Sequence, residues 1–274
     1  MTDFHYATGR IRALEARMLN ASQITRMVNA ADFESAFSVL NETSYAPLVP
    51  KLKKAFDFEE LLKLEKAETK TLLEKLAPDN PLLGALYRKD YYQNLKAQVK
   101  SQDSKIELDK RYYKELLSTA RQSKIAAFKQ LVNSKIDLYN LETLLRINTF
   151  YKDLPAGRQA KILLAKSLLS GGLITKDVWM ALFGRSGDEI ISRLSYTPYI
   201  PDISFGIEDF GRQVDNYIMN SIRKVKYLSF GIEPLLGFYL AKEYEAAALR
   251  FVFICKINHI PIEETKNHMR VSYV

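Results

Sequence analysis

Among the side chains able to do chemistry, only the cations recur in a pattern. The three histidines, His5, His259 and His268, stand at no metal-ligand spacing with one another, with Cys255 or with paired carboxylates. No glycine-rich loop precedes a Lys-Ser or Lys-Thr pair, so no phosphate cradle is encoded and no ATP site is expected. The one cysteine ends the apolar run Phe251-Val-Phe-Ile-Cys255, which reads as a buried inert thiol and excludes an internal disulfide. What does repeat is a heptad ending in a cation: Asn94-Leu-Lys-Ala-Gln-Val-Lys100, Asn140-Leu-Glu-Thr-Leu-Leu-Arg146 and, more weakly, Tyr244-Glu-Ala-Ala-Ala-Leu-Arg250. One chemistry for such cations is an intramolecular pair with a nearby carboxylate, for example Glu243 or Glu245 for Arg250. The other is a charged lining on equivalent helix faces, offered to an acidic partner.

A second repeat concerns a turn. Leu40-x-x-Thr43-x-Tyr45-x-Pro47 returns as Leu194-x-x-Thr197-x-Tyr199-x-Pro201, and upstream Ile24-Thr25 is echoed by Ile174-Thr175. Duplicated helical units generally present a surface and do not build a catalytic pocket. Three such copies around an axis would make a socket.

The elements that carry these residues read as helices throughout. Hydrophobic residues make up 47% and charged residues 26% of 274, with only 11 Gly and 9 Pro, which leaves long Leu/Ala/Lys/Glu stretches. Helices are expected over 6–19, as two short pieces within 22–40 (N-caps Ser22 and Asp32), and over 57–76, where Glu65 and Thr69 fall on the wet side. Pro81 opens the next, over 81–100. A polar joint at 102–107 precedes helices over 108–133 and 136–151, the latter ended by Pro155-Ala-Gly157. The next, over 158–170, stops at Gly171-Gly172. Short helices over 175–194, long ones over 207–229 and 234–257, and a last one near Pro261 complete an all-α chain. Segments 100–107 and 201–206 are the expected flexing joints. Arg250 and Lys256 bracket the most apolar run, so no membrane span is expected, and Met1-Thr-Asp-Phe-His has no signal-peptide pattern. The net charge of +8 suits an acidic partner, an anionic membrane surface or, alternatively, a basic helical nucleic-acid-binding or scaffold protein.

Three blocks carry a family resemblance. They are Ala31-Asp-Phe-Glu-Ser-Ala-Phe-Ser-Val-Leu-Asn-Glu-Thr-Ser-Tyr45, Arg88-Lys-Asp-Tyr-Tyr-Gln-Asn-Leu-Lys-Ala97, and Gly231-Ile-Glu-Pro-Leu-Leu-Gly-Phe-Tyr-Leu-Ala-Lys-Glu-Tyr-Glu245 continuing to Leu249-Arg250. In order along the chain they resemble the C subunit of archaeal and bacterial V/A-type ATPases, equivalent to the d subunit of the eukaryotic vacuolar enzyme. The resemblance implies a funnel of three pseudo-symmetric helical subdomains, here 1–103, 104–203 and 204–274. It implies a non-catalytic, cofactor-free rotor linker, peripheral on the cytoplasmic face of the membrane. Its partners would be the central-stalk subunits D and F and the proteolipid ring, which itself sets whether H⁺ or Na⁺ is carried. On that reading Arg10, Lys96, Arg146 and Arg250 line the opening and meet stalk carboxylates. Asp90, Asn94, Glu233 and Glu243 are their hydrogen-bonding neighbours or further contacts.

Overall fold

The computed structural model describes residues 4–151, 157–200 and 207–274, and among these every regular element is a helix. Two compact units emerge. The first joins residues up to Asp79 to Ile218–Val274; the second is Asn80–Tyr217. The proline breaks at 155 and 201 and the expected joint at 201–206 lie outside the described residues.

In the first unit, α1 (His5–Glu15), α2 (Ala21–Asn29), α3 (Phe33–Ser38) and α4 (Phe58–Leu76) pack around α12 (Glu233–Ile257), with α13 (Ile262–Asn267) on α2. The first turns of helix α12, Pro234–Lys242, are buried on every side and so carry no polar stripe; further on Leu249, Val252 and Phe253 are buried while Ala247, Arg250, Ile254 and Ile257 make an exposed face. Phe33, Phe37, Phe58 and Phe253 meet at 5.4–6.0 Å in edge-on and tilted pairs, the arrangement that aromatic quadrupoles favour.

Local capping explains where these helices begin. Asp32 accepts from Ser35 N at 2.8 Å, as the sequence suggests. For α2 the cap is Asn20, not Ser22, because Gln23 three residues on returns the bond and completes a capping box. Helix α1 ends at Glu15, four residues short of the expected end, and residues 16–20 turn so that Leu19 can donate its backbone N–H inward.

The second unit holds α5 (Pro81–Gln98), α6 (Gln102–Ser123), α7 (Ala126–Tyr151), α8 (Gly157–Ser167), α9 (Lys176–Ala181) and α10 (Gly187–Leu194), packed in sequence order from α5 to α9. Helix α11 (Ile207–Arg223) carries the boundary between the units. Pro81 is the first residue of α5, with Asn80 Oδ1 accepting from Leu82 N at 3.0 Å. The expected joint at 102–107 is instead the first turns of α6. The break between α6 and α7 falls at Lys124, which is left-handed (φ 59°), ten residues before the expected one. A lysine carries no breaker signal, and only the Ser123 hydroxyl, donating to Ala120 O and accepting from Ile125 N, marks the stop.

Candidate functional site

The Thr-x-Tyr turn builds the same local structure twice. Thr43 donates both its backbone N–H (3.1 Å) and its hydroxyl (2.7 Å) to Leu40 O; Thr197 does the same to Leu194 O (2.9 and 2.7 Å). This doubly held carbonyl closes the turn and drives the next tyrosine inward, so that Tyr45 and Tyr199 are both fully buried. Each tyrosine then meets a buried carboxylate on a long helix.

In the first unit that carboxylate is Glu245 of α12. It accepts from Tyr45 Oη at 2.8 Å, from Leu19 N at 2.7 Å and from Lys242 Nζ at 2.7 Å. Lys242 also reaches Glu65 of α4 at 2.7 Å, and its ammonium lies 4.8 Å from the Tyr45 ring centre. Burial opposes the charge on Lys242, but Glu245 and Glu65 outweigh it and hold the ammonium above its ordinary pKa. Burial and the two carboxylates push the Tyr45 hydroxyl well up, so it stays a donor. Glu65 and Thr69 therefore belong to the packed side of α4, not its wet side, because a buried lysine on α12 draws Glu65 in. Lys242, Glu65, Thr43 and Phe238 are among the residues lining an open cavity of about 690 Å³.

In the second unit the carboxylate is Asp137 of α7. It accepts from Leu173 N at 2.6 Å and Ile174 N at 3.3 Å, and the Tyr199 hydroxyl approaches it without strict hydrogen-bond geometry. No cation compensates Asp137 among the described residues, and burial raises its pKa to about 6 against the pull of these donors. Gly172 is required here: a Cβ on it would fall 1.9 Å from Asp137 Oδ1. The expected stop at Gly171-Gly172 comes too late: α8 ends at Ser167, Gly171 is left-handed (φ +104°) in the segment beyond it, and Gly172 serves the close approach of a carboxylate.

Tyr199 follows Tyr45 by 154 residues, and the same interval relates Leu173 to Leu19, Asp32 to the α10 cap Ser186, and Phe33 to Gly187 at the helix starts. The Ile24-Thr25 echo of Ile174-Thr175 is consequently not an equivalence: Ile24 is inside α2, while Ile174 precedes α9. A third latch has almost no motif to announce it. After α13 comes Tyr273, buried, donating to the buried Glu15 of α1 at 2.6 Å, while Arg12 pairs with Glu15 at 2.6 Å. Burial raises the Tyr273 hydroxyl, as for the other two. Ser272-Tyr273 repeats Ser44-Tyr45, a two-residue signal too short to stand out in a sequence.

The eight residues singled out by sequence do not form one cluster. Lys96 grips both oxygens of Asp109 at 2.7 Å, and Tyr139 donates to the same carboxylate at 3.0 Å, which knits α5, α6 and α7. Arg250 forks onto Glu59 at 2.7 and 2.8 Å, which raises its pKa; the expected partners were Glu243 and Glu245. Glu245 is taken by the tyrosine latch and Glu243 pairs with Lys66 at 2.8 Å. Arg146 makes a one-turn pair with Glu142 and remains exposed. Arg10 and Asn94 are exposed, and Asp90 and Glu233 half-buried. The cation heptads are not equivalent environments: Asn94 is exposed, whereas Asn140 is fully buried and exchanges two bonds with the Leu169 backbone. The carboxylates met by the latches, Asp137 and Glu245, instead align α7 with α12 one helical turn away from the heptad register.

These arrangements clamp helices together. Among the described residues no group of three or more His, Cys, Asp or Glu is placed to hold a metal, and no helix is long and apolar enough to cross a membrane. The free cation stripe that nucleic-acid binding calls for is broken at Lys96, Arg250 and Arg88, each of which faces a carboxylate. The model of the ATP synthase (C/AC39) subunit family matches residues 7–105 and 97–268. A curated relative, the C subunit of the V-type sodium ATPase of Enterococcus hirae, is 39% identical over 59 residues, which is 22% of this chain and 18% of the relative. With nearly its whole length matched, the chain belongs to the ATP synthase (C/AC39) subunit family of V/A-type rotary ATPases.

Proposed function

We propose that the chain is a non-catalytic linker in the rotor of a V/A-type ATPase, receiving the tip of the D/F central shaft and resting on the membrane proteolipid ring. It would lie peripherally on the cytoplasmic face, and H⁺ or Na⁺ would be carried by the ring, not by this chain. The family match over residues 7–268 is the observation that carries this reading. The Enterococcus hirae relative, part of a V-type sodium ATPase, agrees with it over a short stretch. The tyrosine–carboxylate latches support it physically. A torque-bearing linker needs helices that cannot slide, and a buried, charge-assisted hydrogen bond fixes register more tightly than apolar packing alone. Within this reading the three thirds 1–103, 104–203 and 204–274 surround a socket, and the exposed Arg146 faces shaft carboxylates, whereas Arg10 stands beside the exposed Tyr6 of α1 and is assigned to another surface. Asp90, Asn94 and Glu233 would add contacts, while Lys96, Arg250 and Glu243 would be shared with their present intramolecular partners.

The test is reconstitution. The chain is mixed with the shaft pair and ring of its own enzyme, with and without Arg146→Ala. Binding that is present in the wild type and weakens in the variant supports both the role and the residue. Failure of the wild type to bind either partner would sink it.

A further inference from the structure

We propose that the amino end of α1 and the turn before α12 form a docking surface for an anionic lipid bilayer. Both lie in the first unit. Four large apolar or aromatic side chains stand out there: Tyr6 is 78% exposed, Tyr227 87%, Phe230 68% and Leu228 39%. Their grouping is built. Arg12 Nη2 donates to Val225 O and Leu228 O, each at 2.8 Å, and pins the turn along α1, while the His5 and Phe230 rings lie 6.2 Å apart. From behind, Lys226 Nζ donates to Tyr273 O at 2.6 Å. The turn is therefore held through its backbone and its cations, and its aromatic rings are left facing solvent.

Charge selects the occupant. Residues 4–14 and 216–232 contain no Asp or Glu, although the whole chain has 32, and they carry Arg10, Arg12, Arg223, Lys224 and Lys226. The carboxylate that ends the first stretch, Glu15, is buried and engaged by Arg12 and Tyr273. Arg10, one helical turn beyond Tyr6, and Lys224, three residues before Tyr227, are exposed and make no ion pair among the described residues. Exposed Tyr and Phe rings flanked by an excess of cations, with Asp3, Asp215 and Glu233 only bounding the two stretches in sequence, match the headgroup layer of an acidic membrane. There aromatic rings settle at the interface and each nearby Lys or Arg adds attraction.

The experiment uses the intact chain and flotation with phosphatidylcholine vesicles, with and without phosphatidylglycerol, at low and high salt. Wild type is expected to float with the anionic vesicles only, and salt should release it. Tyr227→Ser/Phe230→Ser and Arg10→Gln/Lys224→Gln, all at exposed positions, should keep the wild-type circular dichroism. Each pair should lower vesicle affinity by about 10–30-fold. No flotation of the wild type, or flotation that neither pair of substitutions reduces, overturns the proposal. So does a finding that the patch binds only protein subunits of the rotor and no vesicle. Because the isolated chain is read on lipid alone, this failure is separate from failure of the rotor assignment.

Discussion

Replacing Lys242 with methionine removes the cation that two largely buried carboxylates share. Glu65 and Glu245 each lie 2.7 Å from the same ammonium, so their nearest oxygens are no more than about 5.4 Å apart. Without the lysine, two like charges at that distance repel by about 3 kcal/mol at an effective dielectric constant of about 20. Breaking a buried pair by removing one partner costs about 3–5 kcal/mol in general, which agrees. Methionine keeps most of the side-chain volume, so the loss is electrostatic and not a cavity effect. Urea unfolding followed by circular dichroism measures this; the single tryptophan, Trp179, lies in the other unit and would report the wrong transition. A loss under about 1 kcal/mol would refute the idea that Lys242 neutralises an acidic pair.

Asp137 carries the opposite design, a buried carboxylate with donors but no cation. With its pKa raised to about 6 in the fold, its ionisation costs stability above that pH, and the cost is relieved as pH falls toward the unfolded carboxylate range. Relative to Asp137→Asn, the wild type should therefore gain about 1–1.5 kcal/mol between about pH 7.5 and pH 5, read from urea midpoints; an unchanged difference contradicts the assignment. Gly172→Ala forces a Cβ against the Asp137 carboxylate and should cost about 1–3 kcal/mol in thermal or urea unfolding, while Gly84→Ala, with open space around it, should be neutral or stabilising. Tyr273→Phe leaves Glu15 with one donor fewer and should lower stability by about 1.5–3 kcal/mol, with hydrogen exchange rising in α1 first; a neutral effect would remove Tyr273 from the set of latches.

Legibility in the sequence tracked the size of the local signal. The all-helical class, the Asp32 and Pro81 starts and the Thr-x-Tyr repeat could be read because caps, prolines and a four-position match are short-range chemistry. The α6–α7 break could not, since Lys124 adopts a left-handed conformation with no glycine to announce it. The latches were half legible: both motif tyrosines stood out, but Glu245 and Asp137 sit far along the chain among many other carboxylates. Glu65 looked wet because helical periodicity ranks a carboxylate outward by default, and only a buried lysine on another helix reverses that. The cation heptads misled for a related reason. A helix repeats its face every turn, so a register error of one turn leaves the pattern intact while changing every contact.

The central claim is tested most directly by rebuilding the rotary enzyme with and without this chain and measuring ATP hydrolysis and ion transport together. The account predicts that hydrolysis by the soluble head persists without the chain, that ion transport is lost, and that adding the chain back restores their coupling. Full coupling in its absence, or binding of the chain to neither the shaft nor the ring, would contradict it.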